Sequence, residues 1–255
     1  MDSKITYSKP CVLSIAGYDP CGGAGVLADV KTFETHDVLG FAVATSITIQ
    51  NENEFNNVYW LTFQQIKEQI EILFKIYTID VVKIGLVENI DVLNSIIDVL
   101  FSVNKNVKII WDPILKSSTG FNFHTNLNDQ TFNNVMSKIY LITPNLMEAQ
   151  HLFQINNAEQ LMNKGFGENV NILIKGGHSE NDNANDVLIY PHKIKIFESK
   201  KIVNAQKHGS GCVLSAAIAA NLANRQTIEQ ACENAKLFIT NFLKSNNNLL
   251  GYYQK

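Results

Sequence analysis

The stretch CVLSIAGYDPCGGAGVLADVKTFETHDVLGFAVATSITIQ, residues 11–50, decides the fold class. Residues 11–17 and 40–50 are continuous apolar runs, which are typical of strands buried on both faces, and residues 22–39 have the pattern of a helix. A strand, a helix and a second strand in this order predict a parallel βαβ unit. The loop AGYDPCGGAG (16–25) then follows the carboxyl end of a strand, where α/β sheets bind their ligands.

The rest of the chain continues this alternation. We predict further helices at about 62–76 and 89–102, from Asn145, and at about 211–224 and 227–244. The predicted strands cover 81–85, 107–112, 139–143 and 170–175, and a β-hairpin covers 186–197. Asn-rich patches such as NENEFNN (51–57) are predicted loops. The sequence therefore predicts an α/β domain with a mainly parallel sheet that helices cover on both faces.

Composition narrows the class of protein. The 255 residues are 45% hydrophobic and 18% charged with a net charge of −3, which favours a folded domain with a large core and gives no basic surplus for nucleic acid. No apolar run is long enough to predict a membrane span, and the first ten residues do not have the pattern of a secretory leader. Four scattered cysteines fit a reducing compartment, so we expect a cytoplasmic protein.

Two kinds of chemistry fit the first glycine-rich loop. Its glycines let a ligand approach the backbone, and Asp29, one turn into the helix, could bind a small polar ligand. Residues 23–28 also match the G-x-G-x-x-G/A pattern of dinucleotide folds, so an NAD(P)-binding reductase is an alternative. Against it, a loop separates these glycines from the strand, and the second strand ends in Gln50 rather than in a carboxylate. Glycines that simply pack helix on sheet are the plain structural alternative.

Two later loops carry charged groups. In TPNLMEAQ (143–150), Asn145 and Glu148 share one face of a helix start, where they could orient hydrated Mg²⁺ or phosphate oxygens, or could simply form a capping box. In KGGH (175–178), Lys175 follows an apolar strand and suits a phosphate contact, although a turn with a solvated lysine is equally compatible with the pattern.

The stretch HGSGCVLSAA (208–217) predicts an anion site at the start of a helix. Successive backbone N–H groups of Gly209, Ser210, Gly211 and Cys212 would face a ligand, and the helix dipole would favour negative charge there. The same field would lower the pKa of Cys212, and its thiolate could accept a proton from an attacking hydroxyl group. The alternative is a buried structural cysteine.

In their order, these motifs resemble the hydroxymethylpyrimidine/phosphomethylpyrimidine kinases of thiamin biosynthesis, a family of the ribokinase-like superfamily. The resemblance covers roughly residues 11–243 and rests on AGYDPCGGAGVLADVKTF, ITIQNE, KIGLVE, DPIL, TPNLMEA, IKGGH and HGSGCVLSAAIAANLA. It implies a single ribokinase-like domain over residues 1–255, built as a three-layer α/β/α sandwich and often dimeric. It also implies that MgATP phosphorylates the hydroxymethyl group of the pyrimidine and then its monophosphate.

The resemblance also implies a role for each motif residue. The pyrimidine pocket would be lined by Gly17, Ala24, Asp29, Gln50, Leu86 and Ile114, with Asp29 and Gln50 bonded to the ring nitrogens and amine. Asp112, Asn145 and Glu148 would serve Mg²⁺ and the phosphates, partly through water, and Lys175 would contact the ATP phosphates. Gly209, Ser210 and Gly211 would form the anion hole, with Cys212 as the base.

The chain departs from the family pattern at four points, of which the last two lie on the nucleotide side. Leu86 replaces the usual Met and Ser210 the usual Thr, both conservative changes. The approach NAQKHGSG (204–211) lacks the usual Asn-Thr pair, and the family's longer C-terminal tail is absent from the sequence. A pyridoxal kinase of the same branch is the nearest alternative function, because both substrates are flat heteroaromatic rings with a hydroxymethyl arm. A non-catalytic binding protein would explain a pocket but not Cys212, Glu148 and Lys175 together.

Overall fold

A computed structural model gives the fold of the protein. The structure describes residues 7–115, 129–155, 160–161, 170–177, 183–191, 193–203 and 205–254. The helices in these ranges are α1 (Gly25–Thr35), α2 (Phe63–Ile76), α3 (Ile90–Val103), α4 (Asp129–Met136), α5 (Leu146–Phe153), α6 (Ser210–Ala223) and α7 (Ile228–Lys244). The strands are β1 (Cys11–Tyr18), β2 (Leu39–Gln50), β3 (Phe55–Trp60), β4 (Val81–Ile84), β5 (Lys108–Trp111), β6 (Leu141–Ile142), β7 (Asn171–Ile174), β8 (Asp186–Tyr190) and β9 (Lys193–Phe197).

The strands form one sheet in the order β3-β2-β1-β4-β5-β6-β7-β8-β9. The strands from β2 to β7 pair parallel with their neighbours in the sheet. Strand β3 and the predicted hairpin β8–β9 pair antiparallel at the two edges. The predicted α/β class with a mainly parallel sheet is confirmed.

The loop predicted over 51–57 is wrong for its second half. Asn51 accepts hydrogen bonds from the backbone N–H groups of Asn53 and Glu54, which closes a tight turn and returns the chain as β3 beside β2. The edge strand tolerates the polar pair Asn56–Asn57 because only one side of it is paired. The four asparagines at positions 51, 53, 56 and 57 favour a loop, although the last two of them lie in strand β3.

Two hydrophobic cores lie on opposite faces of the sheet, so the sheet is the middle layer of the sandwich. One face packs against α2, α3, α4 and α5, and the other packs against α1, α6 and α7. Helix α6 is buried along almost its whole length because its residues after Gly211 are mostly alanine and aliphatic, with a polar side chain only at Ser215 and Asn221 before its C-terminus. The three-layer architecture expected from the resemblance is confirmed, and the parallel strands all end toward one edge of the sandwich.

Among the described residues, no helix is both long and apolar enough to cross a membrane. All four cysteines lie in the described ranges, and each is a free thiol.

Candidate active site

A cavity of about 2110 Å³ lies at the carboxyl ends of the parallel strands. Cavities for one drug-sized ligand measure roughly 300–1,000 Å³, so this one has room for more than one small molecule. The structure brings nearly all of the predicted site residues to its wall, namely Gly17, Ala24, Gln50, Leu86, Asp112, Ile114, Asn145, Glu148, Lys175, Gly209, Ser210, Gly211 and Cys212. Residues as far apart in the sequence as Gly17 and Cys212 therefore line the same cavity.

Asp29 is the exception, and its predicted contact with a ligand needs correction. Its side chain is fully buried beneath the cavity rather than on the wall. Lys83 Nζ lies 2.8 Å from Asp29 Oδ2, and the Ser14 hydroxyl donates to the same oxygen at 2.5 Å. The carboxylate is thus engaged by protein groups, because α1 turns this position inward onto the sheet.

Two glycines bring the first and last glycine-rich loops into backbone contact. Gly25 begins α1 with φ +59°, and a Cβ atom there would lie 2.1 Å from the carbonyl oxygen of Gly17. Gly209 precedes α6 with φ +72°, and its Cβ would lie 2.0 Å from the carbonyl oxygen of Gly23. Only glycine adopts this conformation at such close approach without strain. The two helix starts are therefore held in a fixed relative position.

A buried hydrogen bond reinforces the same junction. His208 Nε2 lies 2.9 Å from Asp19 Oδ2, and both side chains are buried. Burial raises the pKa of Asp19, but hydrogen bonds from His208, Cys21 and the Ala24 backbone outweigh it and leave that pKa below its ordinary value. Asp19 is thus an anion that ties the loop before α1 to the loop before α6.

The start of α6 opens directly into the cavity. Gly209 caps the helix without any side-chain hydrogen bond, so the N-terminal backbone N–H groups of Gly211 and Cys212 have no capping side chain. All four residues from Gly209 to Cys212 line the cavity. A 14-residue helix with a bare N-terminus favours negative charge in this position, as the sequence predicts.

The predicted lowering of the Cys212 pKa is wrong for the unliganded protein. Burial raises the pKa of the thiol to about 11, and the carboxylates of Asp112 and Asp29 act in the same direction. The ammonium group of Lys83 and the backbone N–H of Gly25 oppose this shift only in part. The start of α6 does not lower this pKa because the buried thiol loses its hydration and lies near two carboxylates.

Asp112 is the centre of a buried polar network at the end of β5. Its carboxylate accepts hydrogen bonds from Lys175 at 2.7 Å, Thr143 at 3.2 Å and Ser215 at 3.1 Å. Burial raises the pKa of Asp112, but the ammonium groups of Lys175 and Lys83 outweigh it, so the pKa lies below its ordinary value. Asp112 is therefore ionised and faces the cavity with a fixed orientation.

Asn145 and Glu148 form the capping box that the sequence allowed as an alternative. The Glu148 N–H donates to Asn145 Oδ1 at 2.8 Å, and Glu148 Oε2 accepts from the Asn145 N–H at 2.7 Å. Both side chains nevertheless line the cavity, and Glu148 Oε2 lies 3.8 Å from Lys175 Nζ. Burial raises the pKa of Glu148, and the ammonium group of Lys175 opposes this rise only in part. The cap therefore orients a carboxylate at the cavity and is compatible with a binding role.

Lys175 is a buried, paired cation and not the solvated turn lysine that the sequence left open. Its side chain is 13% exposed and reaches both Asp112 and Glu148. Burial lowers its pKa, but these two carboxylates outweigh that effect and hold the pKa above its ordinary value. A Cβ atom on Gly211 would lie 3.4 Å from Lys175 Nζ, which places the ammonium group beside the start of α6. His178 of the same motif lies outside the described residues.

Sequence reasoning missed several residues of this region. Lys83 is fully buried under the cavity, and its signal in the sequence was a charge inside the apolar strand VVKIG. Ser215 bonds Asp112 from one turn into α6, a spacing that becomes meaningful only when β5 and α6 are known to be neighbours. Phe55 lines the cavity from β3, the strand that was predicted as a loop.

The segment before the anion site, where the sequence departs from the family pattern, is fixed by the end of the chain. Lys207 Nζ donates to the Asn246 carbonyl oxygen at 2.6 Å, to Asn246 Oδ1 at 2.9 Å and to the Asn248 carbonyl oxygen. The His208 N–H donates to the Leu249 carbonyl oxygen at 2.9 Å. These contacts hold Lys207 and His208 in place just before Gly209, although the family's usual Asn-Thr pair is missing from this segment.

Comparison with protein families gives a match over most of the chain. Residues 19–254 match the family model described as phosphomethylpyrimidine kinase. The hydroxymethylpyrimidine/phosphomethylpyrimidine kinase of Aquifex aeolicus is 34% identical over 245 residues, which cover 93% of this chain and 95% of that protein. The protein of the same name from Bacillus subtilis is 31% identical, over 89% of this chain and 86% of its own length.

Solved structures of two kinds share the fold. The phosphomethylpyrimidine kinase of Clostridium difficile 630 is 31% identical with a TM-score of 0.73, over 91% of this chain and 98% of that one. The pyridoxal kinase of Staphylococcus aureus in complex with ADP is 25% identical with a TM-score of 0.80, over 96% of this chain and 92% of that one.

Proposed function

Because the chain belongs to the phosphomethylpyrimidine kinase family, we propose that it transfers the γ-phosphate of ATP to 4-amino-5-hydroxymethyl-2-methylpyrimidine and then to the resulting monophosphate. One observation supports this proposal most: phosphate-binding groups and ring-binding groups line the same cavity. A bare helix start and a buried lysine attract phosphate, and they face the apolar and amide groups that suit a small ring.

The ring would bind between β1, β2 and β4. Leu86 and Ile114 offer apolar surfaces, Gly17 and Ala24 allow close approach, and Gln50 offers both a hydrogen-bond donor and an acceptor. A Cβ atom on Gly17 would lie 2.8 Å from Ser46 Oγ and 3.2 Å from Leu86, so there is no room for a side chain on this wall. Asp29 is not part of the proposed ring contacts, since Lys83 and Ser14 occupy its carboxylate.

The reaction is an in-line displacement at the γ-phosphorus. The hydroxymethyl oxygen forms the new O–P bond, the bond to the β,γ-bridging oxygen breaks, and ADP leaves. Cys212 Sγ accepts the hydroxyl proton when it is a thiolate. The N–H groups at the start of α6 stabilise the charge on the transferred group, and Lys175 orients the phosphates. Each of these groups lies on the wall of the same cavity.

The residues beside Lys175 fit a magnesium ion. Mg²⁺ prefers oxygen ligands and keeps several of its waters, and the carboxylates of Asp112 and Glu148 with the amide of Asn145 are such a set. Bound there with ATP, the ion would neutralise charge on the phosphates. Asp112 and Glu148 already pair with Lys175, so the carboxylates are held in place by protein groups before any ligand binds.

Replacing Glu148 by Gln should raise the Mg²⁺ concentration at half-maximal rate by about tenfold, since losing a carboxylate that contacts a metal's ligands or waters typically costs about 10–100-fold in metal affinity. The amide keeps the size of the side chain and an oxygen that can accept the Asn145 N–H, so the helix cap should survive. Magnesium titrations at saturating ATP would measure the change. An unaltered magnesium dependence would remove Glu148 from this role.

Pyridoxal is the nearest alternative acceptor, because solved pyridoxal kinases share the fold at comparable TM-scores. An NAD(P)-binding reductase is not favoured, since the family match contains the glycines on which that hypothesis rested. Thermal unfolding tests these alternatives cheaply. We expect the midpoint to rise with MgATP together with the pyrimidine alcohol and to be unaffected by NAD(P). A rise with NAD(P) alone would contradict a kinase.

We also propose that the protein is a homodimer, paired through the sheet face opposite the ring pocket. The register places Tyr18 beside Ile47, and Ile47 beside Tyr59, in one row across β1, β2 and β3. These three side chains are 39–59% exposed, and Ile49 beside them is 44% exposed. A contiguous apolar patch of this kind typically marks an interface, and a second copy with the same patch would cover it symmetrically.

Sedimentation velocity tests this interface. Ile47→Asp combined with Tyr59→Asp should convert a dimer into a monomer, because charges would be buried without partners. Ile196→Asp is the matched control, since Ile196 is equally exposed but lies on β9 at the other edge of the sheet. A monomeric wild-type protein, or an intact dimer in the double variant, would contradict the proposed interface.

We propose the cytoplasm as the compartment, because four free thiols suit a reducing environment.

A further inference from the structure

A buried ion pair at the cavity wall has no part in the mechanism described so far. Asp186, the first residue of β8, and Lys236 of α7 both line the cavity, and their side chains are only 3% and 13% exposed. Lys236 Nζ lies 3.0 Å from Asp186 Oδ2 and donates to the carbonyl oxygen of Ala184 at 2.6 Å. The pair therefore joins helix α7 to the start of the hairpin β8–β9.

The other oxygen of Asp186 holds the loop that carries Lys175. The Gly176 N–H donates to Asp186 Oδ1 at 2.8 Å. On the preceding residue, the Lys175 N–H donates to the carbonyl oxygen of Pro144, after β6, also at 2.8 Å. Two successive N–H groups are thus bonded to different neighbours, so the main chain from which the Lys175 side chain extends is held on two sides.

The loop and the start of β8 approach each other closely. A Cβ atom on Gly176 would lie 2.0 Å from the carbonyl oxygen of Asn185, whereas a Cβ atom on Gly177 would have no neighbour within 4 Å. A residue without a side chain at position 176 is therefore what allows the main chain to come within reach of the Asp186 carboxylate.

The position of this main chain matters at the far end of the Lys175 side chain. Lys175 Nζ lies 2.7 Å from Asp112 and 3.8 Å from Glu148. A shift of the loop would move the ammonium group relative to both carboxylates and to the start of α6. In a catalytic site, a displacement of about 1 Å can cost about 10²-fold in rate.

We propose that Asp186, held by Lys236, is a positioning residue for phosphoryl transfer. It fixes the main chain at Gly176 and thereby directs the ammonium group of Lys175 to the phosphates of the nucleotide. This inference rests on the proposed function, in which Lys175 contacts the phosphates of ATP. A continuous series of contacts supports it, from α7 through the Asp186 carboxylate to the residue next to Lys175.

Two double variants that both lack the ion pair test this role. Asp186→Asn with Lys236→Met keeps an oxygen that can accept the Gly176 N–H, and Asp186→Ala with Lys236→Met removes it. We expect kcat/KM for ATP to stay close to the wild-type value in the asparagine variant and to fall about tenfold to 10²-fold in the alanine variant. KM for the pyrimidine alcohol should stay unchanged in both. Equal values of kcat/KM in the two variants, whether normal or reduced, would overturn the proposal.

Binding of MgADP tests whether the effect passes through Lys175, and it needs no turnover. Calorimetry should give about tenfold weaker binding in the alanine variant than in the asparagine variant, the effect of one lost buried hydrogen bond. In a Lys175→Met background, the two double variants should differ by less than about twofold, because residues of one network are not additive. A tenfold difference in that background would overturn the proposal, since Asp186 would then act on the nucleotide without Lys175.

Two further outcomes are separated by the same measurements. If the alanine variant does not fold, Asp186→Leu with Lys236→Met also removes the acceptor and keeps the branching of the side chain. A wild-type protein that binds MgADP but phosphorylates neither pyrimidine would refute the proposed function, and the MgADP affinities would still decide the role of Asp186.

Discussion

Replacing Cys212 by Ala should lower kcat by about 10²–10⁴-fold while the pyrimidine alcohol and MgATP still bind, because a general base contributes roughly that factor to the rate. The side chain is small and only 7% exposed, so alanine leaves a modest space and the start of α6 keeps its N–H groups. Cys212→Ser should lose rate as well, since a hydroxyl is a far weaker base than a thiolate. Single-turnover rates would measure the loss in the chemical step, and calorimetry would measure whether the pyrimidine alcohol and MgATP still bind.

The pH dependence gives a second test of the same residue. The pKa of Cys212 lies at about 11 in the unliganded protein because the thiol is buried. Below that pKa the thiolate fraction increases with pH, so kcat/KM should rise from neutral toward alkaline pH, and the residual rate of Cys212→Ala should lack this rise. A near-normal rate in the alanine variant would assign the thiol to packing alone.

Gly209→Ala should lower kcat by about 10²–10³-fold, the loss typical of a disrupted oxyanion site. Its Cβ atom would meet the Gly23 carbonyl oxygen at 2.0 Å in a backbone conformation that alanine disfavours, so the start of α6 must shift away from the first glycine-rich loop. The thermal midpoint should fall as well, because the contact between the two loops is lost.

Gly211→Ala is the comparison that isolates this effect. Gly211 has no such backbone conformation, and its Cβ would meet only Lys175 Nζ, at 3.4 Å, a distance at the edge of ordinary van der Waals contact. We therefore expect a clearly smaller loss of rate and little change in the thermal midpoint. Equal losses in the two variants would show that the relative position of the loops is not what makes the anion site.

The sequence predicts the sheet and most of its loops because both depend on local patterns. Apolar runs such as 11–17 and helix-forming stretches between them are read directly, and parallel strands bring their carboxyl ends to one edge. All of the predicted site residues except Asp29 therefore line one cavity, although they are far apart in the chain. The proposed roles of these residues come from the family resemblance, because no single motif predicts them.

What the sequence could not supply depends on neighbours across the fold. The direction in which Asp29 points depends on how α1 packs on the sheet, where Lys83 of β4 donates to its carboxylate. The pKa of Cys212 depends on burial and on carboxylates from two other elements, and it moved against the prediction from the helix dipole alone. Strand β3 pairs with β2 although it contains Asn56 and Asn57, which strands disfavour, and its last residues Val58–Trp60 are of types that strands favour.

Product analysis tests most directly whether the residues of this cavity transfer phosphate from ATP to a pyrimidine alcohol. Purified protein with MgATP would be offered the pyrimidine alcohol, its monophosphate and pyridoxal in parallel, and the products identified by mass spectrometry. We predict the monophosphate from the first and the diphosphate from the second, with a higher kcat/KM for the pyrimidine alcohol than for pyridoxal. Phosphorylation of pyridoxal without turnover of either pyrimidine would contradict the account.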